Sequence, residues 1–142
     1  MYNTTQKSKQ KSEYYKKFPR DGDCQFCSIP DSDKIAEYDD FIIIRNKFGY
    51  DIFDMCEVED HLMVIPKKHT DILDVLSRDE RVEFLDILID YEAKGYNVYF
   101  REPGSIIKTV DHHHTHLLKL GERVGSISYT KQPYSLKYTL TE

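Results

Sequence analysis

The run His112-His113-His114-Thr115-His116 constrains this chain more than any other feature, because it holds four of the six histidines. Successive side chains on a β-strand point to opposite faces. The run therefore predicts that His112, His114 and His116 share one face and that His113 points the other way. Imidazoles that are buried together need hydrogen-bond partners, and they repel one another when protonated. The pattern thus indicates a functional site.

Three explanations of the run compete. A chance polar strand on an exposed face is disfavoured, because histidine is an uncommon residue. A transition-metal site is a serious alternative, because neutral imidazoles at alternate positions can share a metal. The third explanation is nucleophilic catalysis at phosphorus, in which one imidazole carries the phosphoryl group. Its neighbours would then donate to phosphate oxygens and assist the leaving group.

The length and composition are those of one globular domain. The chain has 142 residues, of which 39% are hydrophobic and 32% are charged, and this is enough to bury a core without cross-links. The longest aliphatic stretch, from Phe41 to Ile44, is far shorter than the ~18 residues of a membrane span. The N-terminus lacks the apolar segment of a secretory signal. We therefore expect a cytoplasmic protein that does not contact a membrane.

The charge is distributed unevenly along the chain. Residues 1–20 contain six basic side chains and one acidic side chain, whereas the net charge of the whole chain is −5. We expect residues 1–20 to form a disordered basic tail and residues 21–142 to form the domain. Because that domain is acidic, it lacks the basic footprint of a nucleic-acid-binding protein, and no nucleic-acid partner is expected.

The hydrophobic pattern predicts an α+β fold, with a mainly antiparallel sheet of about five strands and one long helix packed on it. Strands are predicted at residues 35–38, 41–45, 61–66, 97–101 and 109–120, with a further edge strand near residues 126–129. The helix should begin at the capping box formed by Ser77 and Glu80 and end at Gly95. Its predicted apolar stripe consists of Val82, Phe84, Leu85, Leu88, Ile89 and Tyr91.

Three cysteines, Cys24, Cys27 and Cys56, are an odd number in a chain without a secretory signal, so a disulfide framework is not expected. Cys24 and Cys27 have the two-residue spacing of half a zinc site, or of a redox pair. The alternative is that both are free thiols on a turn. Cys56 is predicted to have no special role.

Several motifs together resemble the histidine triad family. His112-x-His114-x-His116-Leu117-Leu118 matches the signature of that family, and Cys24-Gln-Phe-Cys27 is similar to its N-terminal clip. The segment from His61 to His69 resembles a strand that ends in Pro-Lys-x-His, and the helix after Ser77 falls where the family has its long helix. These motifs span residues 21–120 in the order found in the family.

The resemblance implies an enzyme of a defined class. Its members are nucleotide hydrolases or nucleotidyl transferases that act at the α-phosphate of nucleoside phosphoramidates or dinucleoside polyphosphates. His114 would form the covalent nucleotidyl intermediate, His116 would contact the phosphoryl oxygens and assist the leaving group, and His112 would complete the catalytic set. The alternatives are a nucleotide-binding protein of the same fold without catalysis, and a histidine-rich metal-binding protein.

The resemblance also implies substrate-binding residues. Thr109 takes the place of a phosphate-binding hydroxyl, and Asn46 that of a ribose-binding side chain. Phe41 and Ile43 either line the base pocket or pack in the core.

The sequence departs from the family pattern near the triad. Lys108 and Arg101 stand where the family commonly has Gln and Asn. These two cations either favour a more anionic substrate, such as a polyphosphate, or face solvent. His113 and Thr115 replace residues that are usually apolar.

The resemblance also implies a structural zinc ion and a homodimer. Cys24 and Cys27 would be joined by His69 and His112, and two thiolates with two imidazoles suit tetrahedral zinc. No catalytic cofactor is expected. His61 is predicted to have a turn or supporting role.

Overall fold

The computed structural model describes residues 24–131 and 134–141. The predicted basic tail at residues 1–20 lies outside this part of the chain. The α+β class is confirmed. In chain order the described elements are β1 (Lys34–Glu37), β2 (Phe41–Arg45), β3 (Ile52–Phe53), β4 (Cys56–Pro66), α1 (Arg78–Ala93), β5 (Tyr96–Tyr99), β6 (Thr115–Lys131) and β7 (Tyr134–Leu140). None of the helical segments among these residues has the length and apolarity needed to cross a bilayer.

The strands form one antiparallel sheet in the order β1-β2-β4-β6-β5, with β3 paired to β4 and β7 paired to β6. The sheet therefore has more strands than the predicted five. The short strand β3 was missed because it joins β4 through Asp54 and Met55, which adopt positive φ angles of 51° and 58°. Methionine is not a usual residue for a left-handed turn position, so the sequence gives little sign of this hairpin.

The strand that follows the histidine run differs from its predicted bounds. The prediction was residues 109–120, but β6 begins at Thr115 and extends to Lys131. Thr115 pairs with Val64, and β4 ends two residues later at Pro66. Residues 109–112 therefore lie beyond the end of β4, and the backbone N–H of His113 donates to the carbonyl of Thr70 instead of joining the ladder. The strand predicted near residues 126–129 is part of β6, where it forms a hairpin with β7.

Helix α1 begins and ends as the sequence predicts. The Ser77 side chain accepts a hydrogen bond from the backbone N–H of Glu80, and the Glu80 carboxylate accepts one from the backbone N–H of Ser77. These two bonds satisfy backbone donors that the first helical turn leaves unpaired. At the other end Gly95 has a φ of +91°, a conformation that favours glycine.

The apolar stripe of α1 is narrower than predicted. Ile87 and Tyr91 are buried, and Phe84 and Leu88 pack against the same core. The other three members of the predicted stripe remain more than half exposed, at 53% for Val82, 56% for Leu85 and 52% for Ile89. The prediction merged two rows of the helix into one face. We call the exposed row Val82, Leu85 and Ile89 the outer helix row.

The register of the strands decides which side chains face the helix. Residues that pair across neighbouring strands lie on the same face of a sheet. Ile43, Val64 and Thr115 are paired across β2, β4 and β6, and Ile43 and Val64 belong to the core beneath α1. The next set across the same strands, Ile44, Met63 and His116, faces the opposite side.

His113 and Thr115 form a buried polar pair on the helix side of the sheet. His113 Nε2 lies 2.8 Å from Thr115 Oγ1, and both residues are almost fully buried. The backbone N–H of His113 donates to the carbonyl of Thr70. Burial lowers the pKa of His113 to about 4, so its ring is neutral at physiological pH. The hydrogen bond explains how two polar residues are accommodated where apolar residues would be expected.

Thr115→Val is expected to destabilise the fold by about 1–3 kcal/mol, because it preserves the side-chain shape but deprives buried His113 of its hydroxyl partner. Urea unfolding at constant zinc concentration measures the change. The double variant His113→Leu/Thr115→Val, which removes both polar partners, should regain part of the lost stability. A single variant as stable as the wild type would show that this pair contributes nothing.

Candidate active site and metal centre

His112, His114 and His116 gather on the face of the sheet opposite α1. The rings of His114 and His116 meet edge to face, with centroids 5.1 Å apart. Phe26 packs against both His114 and His112, at centroid distances of 5.4 and 5.9 Å. His116 and His112 are buried, whereas His114 is half-buried. The alternation predicted from the sequence thus holds although His112 and His114 precede the strand.

A backbone carbonyl fixes the proton of His114. His114 Nδ1 lies 2.9 Å from the carbonyl oxygen of His112, which can only accept a hydrogen bond. Nδ1 therefore carries the proton, and Nε2 of the neutral ring has a lone pair. Burial lowers the pKa of His114 and outweighs the effect of this hydrogen bond, and the positive charges of Lys108 and Arg101 act in the same direction as burial. The ring is thus held in the form that can act as a nucleophile.

A chain of hydrogen bonds fixes the proton of His116 in the same way. The backbone N–H of Tyr50 donates to His61 Nδ1 at 3.0 Å, so the proton of neutral His61 is on Nε2. His61 Nε2 lies 2.8 Å from His116 Nδ1 and donates to it. The proton of neutral His116 is consequently on Nε2. The two neighbouring histidines therefore present opposite groups, a lone pair on His114 and an N–H on His116.

Aromatic side chains and one cation complete the surroundings of His116. The rings of Tyr50 and Tyr99 lie 5.3 and 6.0 Å from that of His116. Arg101 Nη1 lies 3.3 Å from His116 Nε2. Sequence reasoning assigned no site role to Tyr50, Tyr99 or Phe26. The signal for Tyr99 was its place on a predicted strand, but the register with β6 was needed to bring it beside His116.

The two cysteines of the N-terminal motif meet two histidines from distant parts of the chain. The ligand atoms of Cys24, Cys27, His69 and His112 all lie within 4.8 Å of one another. His112 Nδ1 lies 3.3 Å from Cys24 Sγ, 3.5 Å from Cys27 Sγ and 3.2 Å from His69 Nδ1. Cys27 Sγ lies 3.1 Å from His69 Nδ1. These four residues form a site that could bind a metal ion.

The geometry and chemistry of this cluster fit zinc. In a tetrahedral zinc site with sulfur and nitrogen ligands, neighbouring ligand atoms are about 3.3–3.8 Å apart. His112 Nε2 lies 2.8 Å from the carbonyl of Pro66, to which it donates, so Nδ1 is the unprotonated nitrogen and points at the cysteines. Such a hydrogen bond behind a ligating histidine is typical of metal sites.

The contacts of His112 separate its two predicted roles. Its ring is directed at the cysteines and His69, which supports the metal-ligand role. Its backbone carbonyl accepts the hydrogen bond from Nδ1 of His114. The imidazole of His112 therefore does not join the pair formed by His114 and His116.

Phe41 and Ile43 do not line the candidate active site; of the two alternatives that the sequence leaves for them, the structure shows core packing. Both are fully buried in the core beneath α1, and the ring of Phe41 stacks on Phe84. Because side chains alternate along β2, Ile42 and Ile44 are the residues on the histidine side.

The polar residues predicted to bind substrate have different surroundings. Asn46 lies near the site: its Oδ1 accepts the backbone N–H of Phe48, and its Nδ2 is 3.3 Å from His61 Nε2. Thr109 is exposed in the segment that leads to the histidine run. The side chain of Lys108 is nearly buried and forms an ion pair with Asp71.

Comparisons with known proteins found similar solved structures. A HIT family hydrolase from Legionella pneumophila Philadelphia 1 is 25% identical, with 68% of this chain and 91% of that chain covered and a TM-score of 0.48. A histidine triad protein from Clostridium difficile is 24% identical, with coverages of 74% and 96% and a TM-score of 0.47. A histidine triad nucleotide-binding protein from Candida albicans is 24% identical, with coverages of 76% and 85% and a TM-score of 0.46.

All three are described as histidine triad or HIT proteins, the family that the sequence motifs resemble. No protein-family model matches the chain, and no curated protein matches it. Because the three TM-scores are below 0.5, function is inferred from the side chains of the site.

Proposed function

We propose that this chain is a histidine triad hydrolase or nucleotidyl transferase that acts at the α-phosphate of a nucleotide through a covalent intermediate on His114. One observation carries the proposal. The hydrogen bond from His114 Nδ1 to the carbonyl of His112 leaves the lone pair on Nε2, beside the N–H of His116.

The proposed reaction has two steps. His114 Nε2 attacks the α-phosphorus, a nitrogen–phosphorus bond forms, and the bond from phosphorus to the leaving group breaks. The N–H of His116 donates a hydrogen bond to the departing atom: the oxygen of a polyphosphate leaves as an anion, whereas the nitrogen of a phosphoramidate takes up a proton from solvent and leaves as an amine. Water then attacks the phosphorus of the intermediate, the nitrogen–phosphorus bond breaks, and a nucleoside monophosphate leaves.

The nucleotide would contact residues beside the two histidines. We propose nucleoside phosphoramidates or dinucleoside polyphosphates as the substrate classes. Asn46 is our candidate for the ribose, because its amide lies beside His61 at this face. Thr109 is our candidate for a phosphate oxygen. The amine of Lys108 is paired with Asp71, so Lys108 contributes mainly through its positive charge, which lowers the pKa of His114.

We propose that the Cys24, Cys27, His69 and His112 cluster holds one zinc ion with a structural role. When bound, the ion would cross-link the N-terminal clip to the segment before β6. Four protein ligands leave no open coordination position, which is typical of structural sites. A reducing compartment keeps cysteines available as thiolate ligands, and this supports a cytoplasmic location.

We also propose a two-fold homodimer formed by the outer helix row and β5. Val82, Leu85 and Ile89 expose apolar surface on α1, and α1 packs beside β5. Among the described strands, β5 pairs only with β6, so its other edge is open. Val98 on β5 is 41% exposed. A second copy would cover both the apolar row and the open strand edge.

His114→Ala is expected to reduce turnover at least ~10³-fold, because it removes the nucleophile itself. Chromatography of nucleotide products from a phosphoramidate and from a dinucleoside polyphosphate measures the loss. Mass spectrometry of quenched wild-type reactions should detect one added nucleotide on His114. Circular dichroism and zinc content should be unchanged in the variant.

Wild-type activity in His114→Ala would refute the role of that residue. A wild type that binds nucleotides but yields neither adduct nor product would instead indicate a binding protein.

Metal analysis is expected to find one zinc ion per chain, lost in the double variant Cys24→Ser/Cys27→Ser. The variant should melt at least roughly 10 °C lower, because a ligand that binds only the folded state stabilises it. Cys56→Ser is the matched control and should retain the zinc, because Cys56 lies outside the cluster. Full zinc content in the double variant would exclude this site.

Sedimentation velocity is expected to show a dimer for the wild type and a monomer for Leu85→Glu, which places a charge in the proposed interface. Asp90→Lys, a charge change at an exposed position on another side of α1, should remain dimeric. A monomeric wild type, or dimers of unchanged affinity in Leu85→Glu, would contradict the proposed interface.

A further inference from the structure

Arg101 is a cation without a described counter-ion beside the candidate active site. It follows β5 and is half-buried, and its Nε is buried without a hydrogen-bond partner. Its guanidinium carbon lies 5.3 Å from the ring centre of Tyr99 and 5.8 Å from that of Tyr50. No carboxylate of the described residues pairs with it, whereas Lys108 is paired with Asp71 and Arg45 with Asp60.

The contact between Arg101 and His116 cannot be an ordinary hydrogen bond. Arg101 Nη1 carries only hydrogens to donate, and the hydrogen bonds that begin at the backbone of Tyr50 place the proton of His116 on Nε2. Two donors therefore lie 3.3 Å apart, although the hydroxyl oxygen of Tyr50, 3.5 Å from His116 Nε2, can accept from the His116 N–H. An oxygen that accepts from both would resolve this arrangement, and an anionic oxygen would do so best.

A guanidinium kept in such a place is costly unless it gains a partner. Partial burial removes water from the cation, and contact with two aromatic rings offsets only part of that loss. The rings of Tyr50 and Tyr99 also restrict the orientation of the guanidinium. A planar fork of donors that is fixed in this way matches the oxygens of a phosphate.

We propose that Arg101 binds the second phosphate of the substrate, so that the chain prefers nucleoside or dinucleoside polyphosphates to phosphoramidates. This inference rests on the proposed function. In that reaction the N–H of His116 contacts the departing atom, and Arg101 lies beside that N–H, on the leaving-group side. In a polyphosphate the departing oxygen belongs directly to the next phosphate. The amine of a simple phosphoramidate carries no anionic oxygen for Arg101.

The test compares two substrates in the full-length, zinc-loaded protein. For Arg101→Gln, kcat/KM on a diadenosine polyphosphate should fall about 30- to 100-fold, and kcat/KM on adenosine phosphoramidate less than threefold. Arg101→Lys should lose an intermediate amount on the polyphosphate, because it keeps the charge but not the fork. Arg123→Gln is the matched control. Arg123 lies about 23 Å from His116 along β6, so this variant should change neither value.

Equal losses on the two substrates would place Arg101 on the α-phosphate and overturn the proposal, as would no loss on either. Calorimetric titration with inorganic pyrophosphate and with orthophosphate tests the same residue without turnover. Pyrophosphate should bind the wild type more tightly than orthophosphate and should bind Arg101→Gln at least tenfold more weakly.

If the wild type hydrolyses neither nucleotide, the proposed function fails, but the titration still decides the role of Arg101. Pyrophosphate binding that is unchanged in Arg101→Gln would refute it.

Discussion

The hydrogen bond from the His114 ring to the carbonyl of His112 is the interaction on which the candidate active site depends. It determines which nitrogen of His114 has a lone pair. The position of that carbonyl depends in turn on His112, whose ring is held by the carbonyl of Pro66 on one side and by the cysteines on the other. The candidate metal site and His114 are therefore joined through a single residue.

The sheet supplies the second constraint, which is register. The pairing of Met63 with His116 brings β4 and β6 together so that His61 lies within hydrogen-bond distance of His116. The backbone of Tyr50, beyond the end of β2, then fixes the tautomer of His61. Backbone groups thus determine which nitrogen carries the proton in both His114 and His116. Such groups are held by the fold and need no reorganisation when charge develops at the site.

Much of this arrangement can be predicted from the sequence, where a pattern has only one physical interpretation. The alternation of the histidines correctly separates His113 from His114, and the capping box correctly marks the start of α1. The sequence left open whether Phe41 and Ile43 line the base pocket or pack in the core, because four consecutive residues of β2 are apolar and buried. Such a run shows no alternation, so only the register with β4 reveals which residues face the histidines.

Other features required distances that the sequence does not contain. The outer helix row could not be separated from the core row, because both follow helical spacing. Arg101 was recognised as a departure from the family pattern, but its meaning depends on its contacts with Tyr50, Tyr99 and His116. The strands β3 and β7 were missed from the sequence. The turn that follows β3 contains an unusual residue, and β7 pairs with the part of β6 that extends beyond its predicted end.

The position of the metal cluster along the chain also bears on folding. Cys24 and His112 are separated by 88 positions, a span that includes β1 to β5 and α1. A permanent cross-link between such distant points would reduce the loop entropy of the unfolded chain by about 4–5 kcal/mol, whereas a metal ion is released when the chain unfolds. An ion bound there would connect two points that enclose most of the domain, and its stabilising effect would arise from binding to the folded chain alone.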